Sequence, residues 1–204
     1  MVADLPLPPE CLSWLQERLP GEVQRGDFSE TYGFEHPLVG DVELDRAWVQ
    51  DLASQRQLFR WWVVFTGSDG DPLLEEGPLS RSLAPSAPLF RDTSEHGPVA
   101  RNHSFFLKPA YQRQGIGRRV YAREDVLYRK WGVREVQVMA TRAGPSVWVR
   151  KFGFLPKEPE MLAVDYRGWA RIRGLTATPP ATPAEYPEDF LNSRPGLELY
   201  REVA

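Results

Sequence analysis

The sequence predicts a single α/β domain, and three observations predict it. A chain of 204 residues, 42% of them hydrophobic, is long enough to bury one full core. Residues 102–107 form a strand-like run, and residues 118–130 a helix-like run, with Gln112-Arg113-Gln114-Gly115-Ile116-Gly117 between them. Residues 134–140 then place Val136 and Val138 in alternation with polar neighbours, as a second strand would. Strand, glycine loop, helix and strand in that order make an α/β unit.

The other elements follow in chain order. Pro8 and Pro9 precede Cys11, Leu12, Trp14, Leu15 and Leu19, an amphipathic helix with proline in its first turn. Asp45 is a candidate N-cap for a second helix running to about Gln57, which would bury Trp48, Val49 and Leu52. Residues 58–66, with Trp61, Trp62, Val63 and Val64, read as a buried strand that ends in the turn Ser68-Asp69-Gly70-Asp71. Residues 77–98 are rich in proline, serine and acidic residues and read as a long loop, either a lid over a substrate or a disordered insertion. Phe105, Phe106 and Leu107 close the 102–107 strand, which Pro109 stops, and Val120, Tyr121, Val126 and Leu127 give the next helix its apolar positions. Residues 145–154 read as a short helix with Gly153 as its C-cap, and 159–172 as a helix with Leu162, Tyr166, Trp169 and Ile172 on one face. Residues 178–188 are a second proline-rich loop, and residues 197–203 supply a closing strand. No internal repeat or second domain boundary is visible, so the domain is expected to span residues 1–204.

Charge is unevenly distributed along a chain whose net value is −3. Residues 1–100 carry 7 Lys and Arg against 17 Asp and Glu, residues 101–174 carry 16 against 6, and residues 175–204 carry 2 against 5. The basic stretch coincides with the glycine loop. Two glycines at a helix entrance let backbone N–H groups turn toward an anion, although an ordinary turn has the same spelling. Arg113, Arg118, Arg119 and Arg123 are placed to assist with a multiply charged ligand, while a solvated helix face is the plainer reading of Arg129 and Arg134. The basic stretch contains no nucleic-acid motif and sits in an acidic chain, which disfavours a nucleic-acid partner. The acidic first hundred residues favour a cationic acceptor. No run is apolar enough to span a bilayer, mean hydropathy is −0.44, and residues 1–6 lack the basic start of a secretory signal. Cys11 is the only cysteine and has neither a disulfide nor a metal partner, so a cytoplasmic setting and no metal are expected.

The Q-x-x-G-x-G spelling at Gln112, Gly115 and Gly117, the strand and proline before it, and Lys151-Phe152-Gly153-Phe154 after it carry a resemblance. Over residues 99–154 the chain resembles the GCN5-related N-acetyltransferase superfamily. That resemblance implies a mixed, mostly antiparallel sheet flanked by helices, with an acyl-CoA site at a splay between two central strands, here 102–107 and 135–140. It implies that acetyl-CoA or another acyl-CoA is the co-substrate. Its diphosphate would lie on Gln112, Arg113, Gln114, Gly115, Ile116, Gly117 and Arg118, and its pantetheine arm along the backbone of Phe106 and Leu107. The implied activity is an N-acyltransferase, moving an acetyl group to a primary amine of a small molecule, peptide or protein by direct attack in a ternary complex. A homodimer is compatible with it.

The catalytic residues are less regular. The tyrosine that such proteins use as general acid aligns with Val149, and an asparagine often found earlier aligns with Arg142. His103, on the strand before the loop and in phase with Phe105 and Leu107, is the candidate general base, with a hydrogen-bonded core histidine as the equal alternative. Ser146 is a weaker candidate for contact with the CoA sulfur, or a helix cap. Glu95, His96, Tyr121 and Tyr166 are weaker still. Phe105, Phe106, Trp148 and Phe152 are either core or the lining for a longer acyl chain. The alternative to an enzyme is a non-catalytic acyl-CoA-binding or partner-binding module that has lost the acid.

Overall fold

The computed structural model describes residues 5–53, 56–86, 97–141, 144–194 and 196–203. The chain divides into two compact units, Met1–Val136 with Val203–Ala204, and Gln137–Glu202. The class is α/β with a mixed sheet flanked by helices. The first unit contains helices α1 (Pro9–Arg18), α2 (Asp27–Tyr32) and α3 (Ile116–Lys130) and strands β1 (Val39–Leu52), β2 (Arg56–Gly67), β3 (Leu79–Ala84) and β4 (Val99–Ser104). The four strands pair antiparallel in sequence order, and the start of β5 (Glu135–Ala140) follows β4. α3 lies between β4 and β5 in the chain.

Alternation along β2 decides which face of this sheet is covered. Phe59, Trp61, Val63 and Phe65 are all buried, and they stand opposite Leu83, Arg81 and Leu79 of β3. The three helices cover this face: Trp14 of α1 lies 6.5 Å from Phe59, and Phe28 of α2 lies 5.6 Å from Trp61. An ion pair inside the core ties α3 to β3. Arg81 donates to both carboxylate oxygens of Glu124 at 2.9 and 3.1 Å, and Glu124 also accepts from Tyr32 at 2.8 Å. Arg81 sends a further bond to the Ser80 carbonyl at 2.9 Å and another to that of Ser104 at 3.1 Å, so the buried charges have full partners. Burial opposes the charge on Arg81, but the Glu124 carboxylate outweighs it and raises the pKa.

The second unit holds the rest of β5, then α4 (Gly144–Phe152), β6 (Leu155–Pro156), α5 (Pro159–Ile172), α6 (Glu188–Asn192) and β7 (Leu197–Glu202). Its strand order is β5-β7-β6, with β6 and β7 antiparallel. Gly153, at φ 70°, ends α4 in the left-handed conformation expected of its C-cap. Tyr166 of α5 lies 5.2 Å from both Tyr186 and Phe190, and these rings form the core between α5 and α6.

Four sequence expectations are corrected. Residues 45–52 are not helical but the end of β1, and residues 56 and 57 begin β2, its antiparallel partner. Trp48 and Val49 are strand neighbours that face opposite sides, and Trp48 packs on Trp62 on the outer face, so apolar residues on both faces imitate helical spacing. The loop expected at 77–98 contains β3, all six residues of which are buried. Its Ser80, Arg81 and Ser82 hid it, because their polarity is accommodated by pairing on both sides and by Glu124. The strand expected at 102–107 runs instead over Val99–Ser104, and the chain then pairs elsewhere through the bridge Leu74↔Leu107. Within 178–188, a 3-10 turn at Pro183–Glu185 with a Thr182 capping box leads into α6. Glu95, His96 and Arg142 lie outside the described residues.

Candidate functional site

Local chemistry shapes the glycine loop before any ligand is considered. Pro109–Tyr111 make one 3-10 turn, and Tyr111 donates to Asp69 Oδ2 at 2.8 Å, which anchors the entry. Arg113 (φ 61°) and Gly115 (φ 85°) both adopt left-handed backbone, and α3 starts at Ile116. Only glycine takes that conformation freely, so the loop carries backbone strain at Arg113. Gln112 Nε2 donates to the Leu107 carbonyl at 2.8 Å and joins the loop to the preceding strand segment. His36 donates from Nε2 to the Gln114 carbonyl at 3.1 Å while its Nδ1 accepts from the Leu38 N–H at 3.2 Å, an arrangement that specifies the Nε2–H tautomer.

The end of α3 that faces this loop is uncapped. Its N-cap Gly115 has no side chain to accept from the first turn, no other side chain among the described residues does so, and Arg119 N–H is the first to close on a helix-start carbonyl, that of Gly115, at 3.1 Å. Helix geometry therefore leaves the N–H groups of Ile116, Gly117 and Arg118 without intrahelical acceptors, at the positive end of the dipole. A Cβ on Gly115 would meet nothing within 4 Å, so its glycine serves conformation and leaves the space over the loop open. A Cβ on Gly117 would stand 3.4 Å from the Phe105 ring. Arg113 and Arg118 are exposed and make no ion pair among the described residues. Arg119 and Arg123 instead donate to the carbonyls of Glu35 at 2.7 Å and Glu30 at 3.4 Å.

Backbone pairing determines what Phe106 and Leu107 offer. Glu75 N–H donates to the Phe106 carbonyl at 2.8 Å, and Lys108 N–H to that of Leu73 at 2.9 Å. These bonds flank Leu74 and Leu107, whose own N–H and C=O groups therefore point to the opposite edge. On that edge the Leu107 carbonyl is taken by Gln112, and its N–H is the group left to a ligand.

His103 is the extra residue of a bulge, since Ser104 pairs with Ser80 and Asn102 with Arg81. Its Nε2 lies 2.6 Å from Ser82 Oγ. Desolvation, and then the charges of Arg60, Arg101 and Arg81, lower its pKa from 6.5 to about 4. His103 is thus a neutral imidazole at neutral pH and a weak base. Ser146 belongs to the second unit, where it is 3% exposed and its backbone N–H donates to Asn192 Oδ1 at 3.2 Å. As the third residue of α4 it is not the helix cap. Val149 is buried in the same helix.

The first unit therefore brings together Phe106, Leu107 and Gln112 to Arg118, with His103 on the strand before them. Sequence reading missed the anchoring roles of the Gln112 side chain and of His36. Neither leaves a signal, because His36 reaches Gln114 across 78 positions of chain. Among the described residues, no group of three or more His, Cys, Asp or Glu is gathered to hold a metal, and no helix is long and apolar enough to cross a membrane.

No family model matches the chain, and the curated proteins contain no match. Among solved structures, it is similar to an acetyltransferase of the GNAT family from Staphylococcus aureus Mu50, at 9% identity over 71% of this chain and 68% of that one, TM-score 0.39. It is also similar to a nourseothricin acetyltransferase, at 14% identity over 92% of this chain and 98% of that one, TM-score 0.40. Both values are too low to transfer a role to any residue.

Proposed function

We propose that the chain is an acyl-CoA-dependent N-acyltransferase whose diphosphate cradle is the loop from Gln112 to Arg118. The observation that carries this reading is the uncapped start of α3, entered through a left-handed Gly115 and flanked by the unpaired Arg113 and Arg118. Three free N–H groups, a helix dipole and two guanidinium groups suit a diphosphate, and the open space over Gly115 leaves room for one. When bound, acyl-CoA supplies a thioester carbonyl open to attack by an amine. Arg113 and Arg118 hold charge, Gln112 keeps the loop against residue 107, and the Leu107 N–H offers one strand-like bond to a pantetheine amide. His103, hydrogen-bonded to Ser82, receives the amine proton. Ser146 takes no part in this scheme, because its backbone and burial serve α4.

Val149 favours a second reading, a module that binds acyl-CoA without turning it over. A thiol-release assay with acetyl-CoA and longer acyl-CoAs across an amine panel, beside calorimetric titration of CoA, separates the two. Binding with turnover is expected. Binding without turnover on any amine selects the second reading, and absence of binding removes both.

A further inference from the structure

The sheet face opposite α3 carries a cluster that the cradle does not use. Arg46 stands opposite Trp62 and Trp48 opposite Arg60 across β1 and β2, two residues apart on each strand, so all four side chains share one face. The two indoles lie 4.5 Å apart at 34°. The Arg46 guanidinium lies 4.6 Å from the Trp62 ring centre and 5.5 Å from that of Trp48, and Arg60 lies 5.0 Å from Trp62. Arg60 pairs across the sheet with Ser82, the residue bonded to His103, so the cluster runs from β1 to the candidate base.

Among the described residues, Arg60 has no counter-ion. It is half-buried, no carboxylate contacts it among the described residues, and its side-chain hydrogen bond goes to the neutral Gln50 at 3.3 Å. Its Nε is buried with no acceptor. Desolvation, and then the like charge of Arg46, lower its pKa, as expected of a cation held without its anion. Arg46 meets Asp45 at 3.2 Å, but that pair is exposed and weak. Asp41, Glu43, Asp45 and Asp51 are exposed along the same strand. A long polyanion would be repelled by them, whereas one small anion between Arg46 and Arg60 would not. Trp48, 41% exposed, adds a flat apolar platform beside the two guanidinium groups.

We propose that this face binds a carboxylate carried on an aromatic ring, held by Arg46 and Arg60 with the ring on Trp48. The site is separate from the cradle's chemistry: Trp48 on β1 and His103 on β4 are three strand spacings apart, about 14 Å, so a ligand this small does not span them.

The test titrates the whole chain, without acyl-CoA, with 4-aminobenzoate, aniline and benzylamine, followed by calorimetry and tryptophan fluorescence. Saturable binding of 4-aminobenzoate is expected, with aniline and benzylamine at least about tenfold weaker, and about a tenfold loss in Arg60→Gln and in Arg46→Gln at unchanged CoA affinity. Arg46 is exposed, so its variant reads the site even if the Arg60 variant fails to fold. Equal binding of aniline, unchanged affinity in the folded variants, or no saturable binding overturns the proposal. CoA binding without 4-aminobenzoate binding leaves the cradle standing and removes this site. The reverse result keeps this site and removes the cradle.

Discussion

Gly115 and His103 behave differently because one is selected by backbone and the other by surroundings. At φ 85°, replacing Gly115 by valine forces a β-branched side chain into left-handed backbone, at a cost of about 1–2 kcal/mol. Chemical denaturation is expected to register that loss, and calorimetry the loss of CoA binding. Gly117→Val strains no backbone and meets only the edge of Phe105, so it is expected to weaken CoA binding with a smaller change in stability. Equal CoA affinity in both folded variants would remove the cradle. For His103, the folded pKa of about 4 lies below the ordinary 6.5, so the unfolded chain binds more protons between these values. Its contribution to stability is present above pH 6.5 and is lost as pH falls toward 4, and His103→Gln is expected to flatten that part of the denaturation profile. The residue type was visible in the sequence as a base. Its depressed pKa was not, because Arg60 and Arg81 come from other strands.

At the level of elements, α3 is joined to the sheet by a charge pair rather than by apolar contact alone. Glu124→Ala leaves Arg81 buried and unpaired and is expected to cost about 3–5 kcal/mol in a urea titration. The double variant Arg81→Met with Glu124→Leu is expected to lose less than that single change, since no charge is then left buried. A double variant no more stable than Glu124→Ala would contradict this account. The same pair explains why β3 was illegible. A strand whose central residue is arginine reads as loop until its partner, 43 positions away, is known. The end of β1 was misread for a different reason, apolar residues on both of its faces, with Trp48 packed on Trp62 rather than in the core. Helices α1, α3, α4 and α5 were legible because their apolar positions keep one period and their ends carry proline or glycine.

Over the whole molecule, the 16 basic residues between 101 and 174 bear on the acyl-CoA reading as a field rather than as contacts. With Arg113 and Arg118 exposed, CoA affinity is expected to fall as salt rises from low to high ionic strength, because screening acts most strongly on exposed charges. Calorimetry across a salt series checks this, and a flat response would place the binding energy in buried contacts instead.

By itself the sequence determined the α/β class, the order of strand, glycine loop, helix and strand, and the glycine that admits left-handed backbone at the helix entrance. These follow from local rules of period, capping and backbone freedom, which need no distant partner. Only the tertiary structure decided that, among the described residues, α3 starts uncapped with Arg113 and Arg118 unpaired, that Ser146 is packed into α4, and that Arg60 meets no carboxylate beside Trp62 and Arg46. Those properties depend on which side chains from separate strands and helices come within a few ångströms, and pairing over such distances along the chain has no signature in spacing.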